Sequence, residues 1–296
     1  MPYRGRFAPS PTGALHFGSL IAAVASYADA RTHGGSWVVR IEDLDQPRVV
    51  PGADTAILRT LHAFGLRWDG EPLYQSLRTG AYAEALARLT RLGLTYPCAC
   101  SRTEIARLGQ PGIAGTIYPG TCRVGLPPGR QARSIRLRTP SVLTRFHDRV
   151  QGVQSQQVAT AIGDLVLRRA DGIHAYQLAV VVDDAWQGIS HVVRGADLLS
   201  STPAQRLLQQ LLQLPAPTHA HVPLAVDATG RKLSKSLAAV PVDPAAPLPA
   251  LHRAWAWLGQ TPAPPAASLA AFWEHAVRHW RIEQVPPIPQ ACIAGA

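Results

Sequence analysis

The sequence predicts an α/β protein built on a parallel sheet, because a strand, a helix and a second strand follow one another at its start. Residues 3–8 read as a short strand that runs into a proline turn. From residue 18 to about residue 32 the apolar side chains recur at helical spacing. Residues 37–41 are mostly apolar and aromatic or β-branched, which is typical of a buried strand. This order indicates the first βαβ unit of a parallel sheet.

The composition is that of a folded and basic protein. Hydrophobic residues make up 47% of the 296 residues and charged residues only 16%, which excludes a disordered chain and allows one large or two small domains. The 29 Lys and Arg exceed the 19 Asp and Glu, and the net charge is +10. Nearly all the cations are arginine, which binds phosphate with two donors, so a polyanionic partner such as RNA fits. A GC-rich coding bias is the alternative explanation.

No stretch of the sequence has the length of a membrane span, and no apolar signal region follows the first six residues. We therefore expect a cytoplasmic protein with no membrane contact. Nothing in the sequence indicates an obligate dimer, and a monomer is expected.

The rest of the chain continues the alternation of helices and strands. Residues 176–184 fit a strand by their valines and a helix by their position. Residues 93–130 lose periodicity and are rich in Gly, Pro and Cys, which indicates a connecting insertion. The last ten residues are expected to fray. Helices are predicted over 52–64, 77–92, 203–212, 248–258 and 267–281, and strands over 134–138, 164–168, 190–194 and 221–226.

The loop before the first predicted helix has the features of a phosphate site. Two prolines stiffen it at Pro9 and Pro11, and His16, Gly18 and Ser19 open the helix. Free backbone amides and the helix dipole favour negative charge at a helix N-terminus. His16 can donate to phosphate or ribose oxygens, and Gly18 lets a nucleotide approach the backbone closely. The candidate ATP-binding residues are Pro9, His16, Gly18, Ser19 and Lys235.

A second segment, Lys-Leu-Ser-Lys-Ser from residue 232, supplies two lysines on a predicted flexible loop. Lys232 and Lys235 can stabilise the charge that grows on a departing pyrophosphate. With His16 they form the candidate catalytic set for adenylate chemistry, in which a carboxylate attacks ATP and no covalent enzyme intermediate is needed. The alternative is a proline turn and an unrelated solvated basic loop.

Together the two segments resemble the signature motifs of class I aminoacyl-tRNA synthetases. The run from His16 to Ser19 is similar to the family's His-Ile-Gly-His element, and the lysine loop has Leu233 where the family commonly has Met. The resemblance implies a Rossmann-type catalytic domain that uses ATP, with magnesium arriving on the nucleotide.

Two further segments predict a pocket for an anionic amino acid at the carboxyl ends of the strands. Glu42 suits the substrate ammonium group, Arg6 and Arg194 suit its carboxylates, and the Tyr176 hydroxyl can close the pocket. Ordinary buried ion pairs are the alternative. The segments around these residues resemble the glutamyl- and glutaminyl-tRNA synthetase family, whose matching arginine reads a side-chain carboxylate, so glutamate is implied. The candidate glutamate-binding residues are Arg6, Phe7, Ala8, Pro9, Ser10, Glu42, Tyr176 and Arg194.

Three cysteines within 25 residues predict a structural zinc site in the insertion. Cys98, Cys100 and Cys122 offer three thiolates, and no histidine lies between Cys100 and Cys122. Tetrahedral zinc takes four ligands, usually Cys or His; the fourth donor assigned here is Tyr118, an uncommon zinc ligand that residue chemistry alone would not select. Three buried free thiols are the alternative. Zinc here would brace the insertion without a catalytic role.

The region after the lysine loop bears on the choice of subfamily. About 60 residues follow Ser236, enough for a few helices and too few for an anticodon-binding domain. Together with the Cys-x-Cys and Tyr-x-x-x-Cys pattern, this resembles the glutamyl-queuosine tRNA(Asp) synthetase family. That resemblance implies transfer of glutamate to the queuosine base in the anticodon of tRNA(Asp). A short glutamyl-tRNA synthetase that charges a 3′ end and a non-catalytic RNA-binding paralogue stay open as alternatives.

The expected organisation has four parts. Residues 1–97 form the first half of the catalytic domain, and 98–188 form the connective, acceptor-binding insertion with the zinc site. Residues 189–237 complete the catalytic domain and carry the lysine loop. Residues 238–296 form a short helical C-terminal region.

Overall fold

The computed structural model of the protein describes residues 2–113, 115–226, 241–265 and 268–292. Among the described helices, none combines the length and the apolar character that crossing a membrane requires. The strands are β1 (Arg4–Phe7), β2 (Ser36–Ile41), β3 (Leu73–Tyr74), β4 (Thr95–Cys98), β5 (Pro111–Gly112), β6 (Gly115–Thr116), β7 (Ser134–Leu137), β8 (Leu143–Asp148), β9 (Gly152–Gln157), β10 (Val166–Arg168), β11 (His191–Gly195), β12 (Thr218–Val222), β13 (Leu224–Val226) and β14 (Gln290–Cys292). The helices are α1 (Phe17–Thr32), α2 (Ala53–Ala63), α3 (Thr79–Arg91), α4 (Arg102–Leu108), α5 (Val158–Ala161), α6 (Tyr176–Trp186), α7 (Thr202–Leu212), α8 (Pro247–Trp257) and α9 (Leu269–His279).

A parallel layer of strands forms the centre of the fold. Strand β1 pairs in parallel with β2, and β2 with β3, while β11 pairs in parallel with β12. The two groups meet where the Ser190 amide donates to the Arg4 carbonyl oxygen at 3.0 Å. The resulting order, β3-β2-β1-β11-β12, is that of a doubly wound sheet, in which ligands bind at the carboxyl ends beside the switch point. The predicted βαβ unit is confirmed.

Helix α1 is the centre of the largest hydrophobic core. Its side chains Leu20 and Val24 are fully buried and share one cluster with Trp37 of β2 and Trp255 of α8. A second cluster packs α3, α6 and α7 against β7 and β10. Residues 176–186 are helical despite their valines. The reason is tertiary packing, since Leu178 to Val181 are all buried in that second cluster.

Several local features differ from the sequence expectations, among them short elements within 93–130 such as β4 and α4. The hairpin β8–β9 was not predicted, and it extends the parallel layer through the pairing of β8 with β12. The strand predicted over 221–226 is two strands, because Pro223 has no amide hydrogen to continue the ladder. The expected fraying of the last ten residues is wrong for Gln290–Cys292, which pair in parallel with β13.

Asp29 on α1 joins three distant parts of the chain. Its carboxylate is fully buried and accepts hydrogen bonds from the Tyr3 hydroxyl and from Trp280 Nε1 at 2.9 Å. The two terminal nitrogens of Arg149 bind the same carboxylate at 2.6 and 3.0 Å. Burial alone would raise the pKa of Asp29, but the hydrogen bonds and charge of Arg149 hold it below its usual value. The N-terminus, the β8–β9 hairpin and the segment after α9 therefore depend on one carboxylate.

The substitution Asp29→Asn should lower the free energy of unfolding by about 3 kcal/mol, because removing one partner leaves a largely buried guanidinium unpaired. Urea unfolding followed by circular dichroism measures the change. Glu274→Gln is the matched control, since Glu274 pairs with Arg278 at an exposed position. An Asp29→Asn midpoint equal to that of the control would contradict the role given to Asp29.

Candidate functional site

A cleft of about 780 Å³ opens at the carboxyl ends of β1, β2 and β11, beside the N-terminus of α1. It lies at the switch point of the parallel layer. Lys232 and Lys235 fall outside the described residues. The structure brings together every other candidate residue of the two predicted substrate sites on the walls of this cleft, namely Arg6, Phe7, Ala8, Pro9, Ser10, His16, Gly18, Ser19, Glu42, Tyr176 and Arg194.

The N-terminus of α1 forms one end of the cleft. His16 is the N-cap residue, and its Nδ1 accepts from the Ser19 amide at 3.3 Å. Gly18 lies against the imidazole, so that an added Cβ would stand 3.3 Å from His16 Cε1 and Nδ1. The first turn of α1 has no acidic residue. The amides and dipole at this end therefore present a positive field suited to polyphosphate.

Glu42 lies just after β2 on another wall of the cleft, and its side chain is 11% exposed. Arg40 approaches it at 3.4 Å and also binds Asp184 at 2.8 Å, a carboxylate shared with Arg6 at 3.3 Å. Burial raises the pKa of Glu42, although the charges of Arg40 and Arg6 act in the opposite direction. A carboxylate under this desolvation is stabilised by a cationic ligand such as an ammonium group.

Arg194 at the end of β11 is 4% exposed, and none of the described carboxylates contacts it. Its Nη2 donates to Thr202 Oγ1 at 2.9 Å and to Gln205 Oε1 at 2.8 Å, and Nη1 stands 3.5 Å from the Tyr176 hydroxyl. Burial lowers the pKa of Arg194, and the nearby guanidinium of Arg6 adds to this effect. A buried cation held by neutral partners favours an anionic ligand.

Part of the charged frame beneath the cleft could not be predicted from the motifs. Asp183 and Asp184 stand on the otherwise apolar α6, and acidic residues at buried helical positions are the signal that could have identified them. Asp183 binds Arg78 at 2.6 Å and the Tyr82 hydroxyl at 2.6 Å. His221 opens the strand predicted over 221–226 and was given no role from the sequence. It is fully buried and accepts from Arg194 Nε at 3.0 Å through Nε2.

The three cysteines and the tyrosine of the insertion also come together. The Sγ atoms of Cys98, Cys100 and Cys122 all lie within 4.8 Å of one another, and those of Cys100 and Cys122 are 3.7 Å apart. The Tyr118 oxygen stands 3.4 Å from Cys98 Sγ and 3.6 Å from Cys100 Sγ. Zn–S bonds of about 2.3 Å and Zn–O bonds of about 2.0 Å in a tetrahedron place sulfurs about 3.8 Å apart and sulfur and oxygen about 3.5 Å apart. These four residues could therefore hold a zinc ion.

Comparison with known proteins matches residues 3–244 to the family model of the catalytic domain of class I tRNA synthetases (E and Q). The glutamyl-Q tRNA(Asp) synthetase of Dechloromonas aromatica is 59% identical over 291 residues, which are 96% of this chain and 96% of that protein. The glutamyl-Q tRNA(Asp) synthetase of Chromobacterium violaceum is 52% identical over 287 residues, 97% of this chain and 96% of that protein.

Among solved structures, the fold is similar to two bacterial synthetases. The glutamate-tRNA synthetase of Elizabethkingia anophelis superposes with a TM-score of 0.82 at 24% identity, covering 100% of this chain and 68% of that one. The glutamate tRNA ligase of Elizabethkingia meningosepticum, solved in complex with its amino acid, gives a TM-score of 0.78 at 24% identity, covering 97% of this chain and 66% of that one. At this identity the likeness establishes the fold.

Proposed function

The chain belongs to the class I (E and Q) tRNA synthetase family, among the glutamyl-Q tRNA(Asp) synthetases, and we propose that it activates glutamate with ATP and transfers it to the queuosine base of tRNA(Asp). The observation that carries the amino acid part of the proposal is the cleft with Glu42 on one wall and Arg194 buried on another. The relatives' shared name supports the RNA part.

Glutamate fits the charges of the cleft. Its ammonium group would pair with Glu42, and the carboxylates with Arg6 and Arg194. Because Nε and Nη2 of Arg194 already have protein acceptors, Nη1 and the Tyr176 hydroxyl are the donors left for the substrate side-chain carboxylate. Glutamine presents an amide in place of one carboxylate oxygen, and its NH₂ group would face these donors without an acceptor between them.

The chemical step would be electrostatic and positional. The α-carboxylate of glutamate attacks the α-phosphorus of ATP, and pyrophosphate leaves. The Gly18 amide, the Ser19 hydroxyl and the His16 ring would hold the phosphates at the α1 N-terminus. Lys232 and Lys235, outside the described residues, would stabilise charge on the leaving group. Magnesium would enter bound to ATP.

In the second step a hydroxyl of the queuosine cyclopentene ring would attack the carbonyl carbon of glutamyl-adenylate, and AMP would leave. The net charge of +10 suits a polyanionic partner of this kind. In the proposed division of the chain, a catalytic body is joined by an insertion at 98–188 and a helical C-terminal region from 238. The insertion would bind the part of the tRNA that carries the accepting queuosine base.

Zinc bound by Cys98, Cys100, Tyr118 and Cys122 would brace the insertion. The donor set fits the metal because the Tyr118 oxygen lies 3.4 and 3.6 Å from the Sγ atoms of Cys98 and Cys100, and the Sγ atoms of Cys100 and Cys122 are 3.7 Å apart, close to tetrahedral separations. In addition, the Cys122 amide donates to the Tyr118 oxygen at 2.7 Å, a hydrogen bond that would stabilise the phenolate form of this ligand. The metal would supply folding energy only.

Elemental analysis of the purified protein should find one zinc per chain. Cys100→Ser should lose most of the metal and lower the unfolding temperature, because a structural site with three ligands binds zinc weakly. Cys292→Ser is the matched control, since Cys292 is exposed and belongs to β14. A wild-type protein that carries no zinc and takes up none on incubation would contradict the site.

Transfer is tested with tRNA(Asp) prepared with and without queuosine. Radiolabelled glutamate should appear only on the queuosine-containing tRNA, and nuclease digestion should place the label in the anticodon fragment. Equal charging of queuosine-free tRNA, with label at the 3′ end, would indicate an ordinary glutamyl-tRNA synthetase. Absence of glutamate-dependent ATP–pyrophosphate exchange with magnesium present would indicate a non-catalytic RNA-binding protein.

A further inference from the structure

The buried environment of Arg194 contains a chain of hydrogen bonds that the proposed chemistry does not use. Arg194 Nε donates to His221 Nε2 at 3.0 Å, and His221 Nδ1 stands 2.6 Å from Asp148 Oδ2. All three side chains are buried, with His221 and Asp148 fully inaccessible. They come from three adjacent strands, β11, β12 and β8.

The hydrogen bonds from Arg194 to His221 and from His221 to Asp148 can both form with only one tautomer of the imidazole. The Arg194 Nε–H group can only donate, so His221 Nε2 must carry a lone pair. The imidazole proton then resides on Nδ1, where Asp148 Oδ2 accepts it. A neutral imidazole is required. Burial disfavours the charged form and lowers the pKa of His221 to about 4, so the ring is neutral at pH 7.

The orientation of Asp148 is itself determined by the backbone. Its Oδ1 accepts the amides of Val150 at 3.0 Å, Gln151 at 2.9 Å and His221 at 3.0 Å. Three donors converge on this oxygen, and so the second oxygen is the one that faces the imidazole. The β8–β9 hairpin thereby determines which nitrogen of His221 is protonated.

Resting on the proposed function, we propose that His221 is a positioning residue for glutamate recognition, and that Asp148 holds it in the tautomer that orients the Arg194 guanidinium. Hydrogen bonds from Nε to His221 and from Nη2 to Thr202 and Gln205 hold the guanidinium in one orientation, with Nη1 beside the Tyr176 hydroxyl on the cleft wall. This series of hydrogen bonds from Asp148 through His221 to Arg194, the relay, is how a histidine outside the cleft affects the choice of amino acid.

The substitution Asp148→Asn tests the tautomer directly. The amide oxygen should take the Oδ1 position, because three backbone donors select an acceptor there. The NH₂ group then faces His221 Nδ1 and moves the imidazole proton to Nε2, where it opposes the Arg194 Nε–H. In ATP–pyrophosphate exchange, KM for glutamate should rise about 10- to 100-fold. KM for ATP should stay the same and kcat should change much less.

A second substitution distinguishes the relay from a general structural role of Asp148. Glutamine at position 221 can place its oxygen where Nε2 stood and has no tautomer to set. His221→Gln should therefore keep a near wild-type KM, and the double variant Asp148→Asn/His221→Gln should recover most of the loss. His219→Gln is the matched control, since His219 is buried on the same strand, and its ring centre lies 6.0 Å from that of His221.

Nitrogen-15 NMR of the histidine side chains of the wild-type protein at pH 7 should show His221 protonated on Nδ1 only. This readout needs no activity, so it separates the relay from the proposed function. A wild-type protein without glutamate-dependent exchange would overturn the proposed function, and the NMR result would still decide the relay. An Nε2-protonated His221, an unchanged KM in a folded Asp148→Asn variant, or an equal rise in His219→Gln would overturn the relay.

Discussion

The burial of the Arg194 guanidinium at the carboxyl end of β11 is the constraint on which the cleft depends. Moving a charged side chain out of water costs several kcal/mol unless partners replace the lost hydration. In the described structure those partners are neutral: a histidine nitrogen, a hydroxyl, an amide oxygen and a carbonyl oxygen. The hydrogen bonds are satisfied while the charge is left without a contacting carboxylate. The site is therefore prepared for an anion before any substrate enters.

The other charged groups around the cleft are arranged so that Arg194 stays without a contacting carboxylate. Arg6 and Arg40 both pair with Asp184, and Arg78 pairs with Asp183, so each of these arginines contacts a carboxylate of the protein. Asp148, which could have compensated Arg194, is separated from it by the neutral ring of His221. Specificity in this arrangement comes from withholding a counter-ion as much as from supplying donors.

Local sequence patterns predicted the parts of the fold that depend on nearby residues. The periodicity of 18–32 and the strand at 37–41 were enough for the first βαβ unit, and the loop residues around His16 were placed correctly at the helix start. Residues 176–184 could not be assigned, because their valines favour a strand and only contact with α3 and α7 makes the helix the better solution. The β8–β9 hairpin was missed for a similar reason, since its pairing with β12 joins segments some 70 residues apart.

In the candidate site, too, residues within local motifs could be predicted, whereas a residue whose role depends on a distant partner could not. Residues with a charge or a glycine in a distinctive motif, such as Gly18, Glu42 and Arg194, could be selected from the sequence, and the cleft unites them. His221 could not, because a histidine on an apolar strand has no local signal of its partner. Its role depends on Asp148, which lies 73 residues earlier in the chain. The catalytic lysines at 232 and 235 remain predictions.

The most direct test of the account is amino acid selection in ATP–pyrophosphate exchange. The wild-type protein should use glutamate with a kcat/KM about 10³-fold above that for glutamine, because only glutamate supplies the missing anion to Arg194 and leaves no donor facing a donor. Comparable exchange with glutamine would contradict the claim that the uncompensated guanidinium defines the substrate.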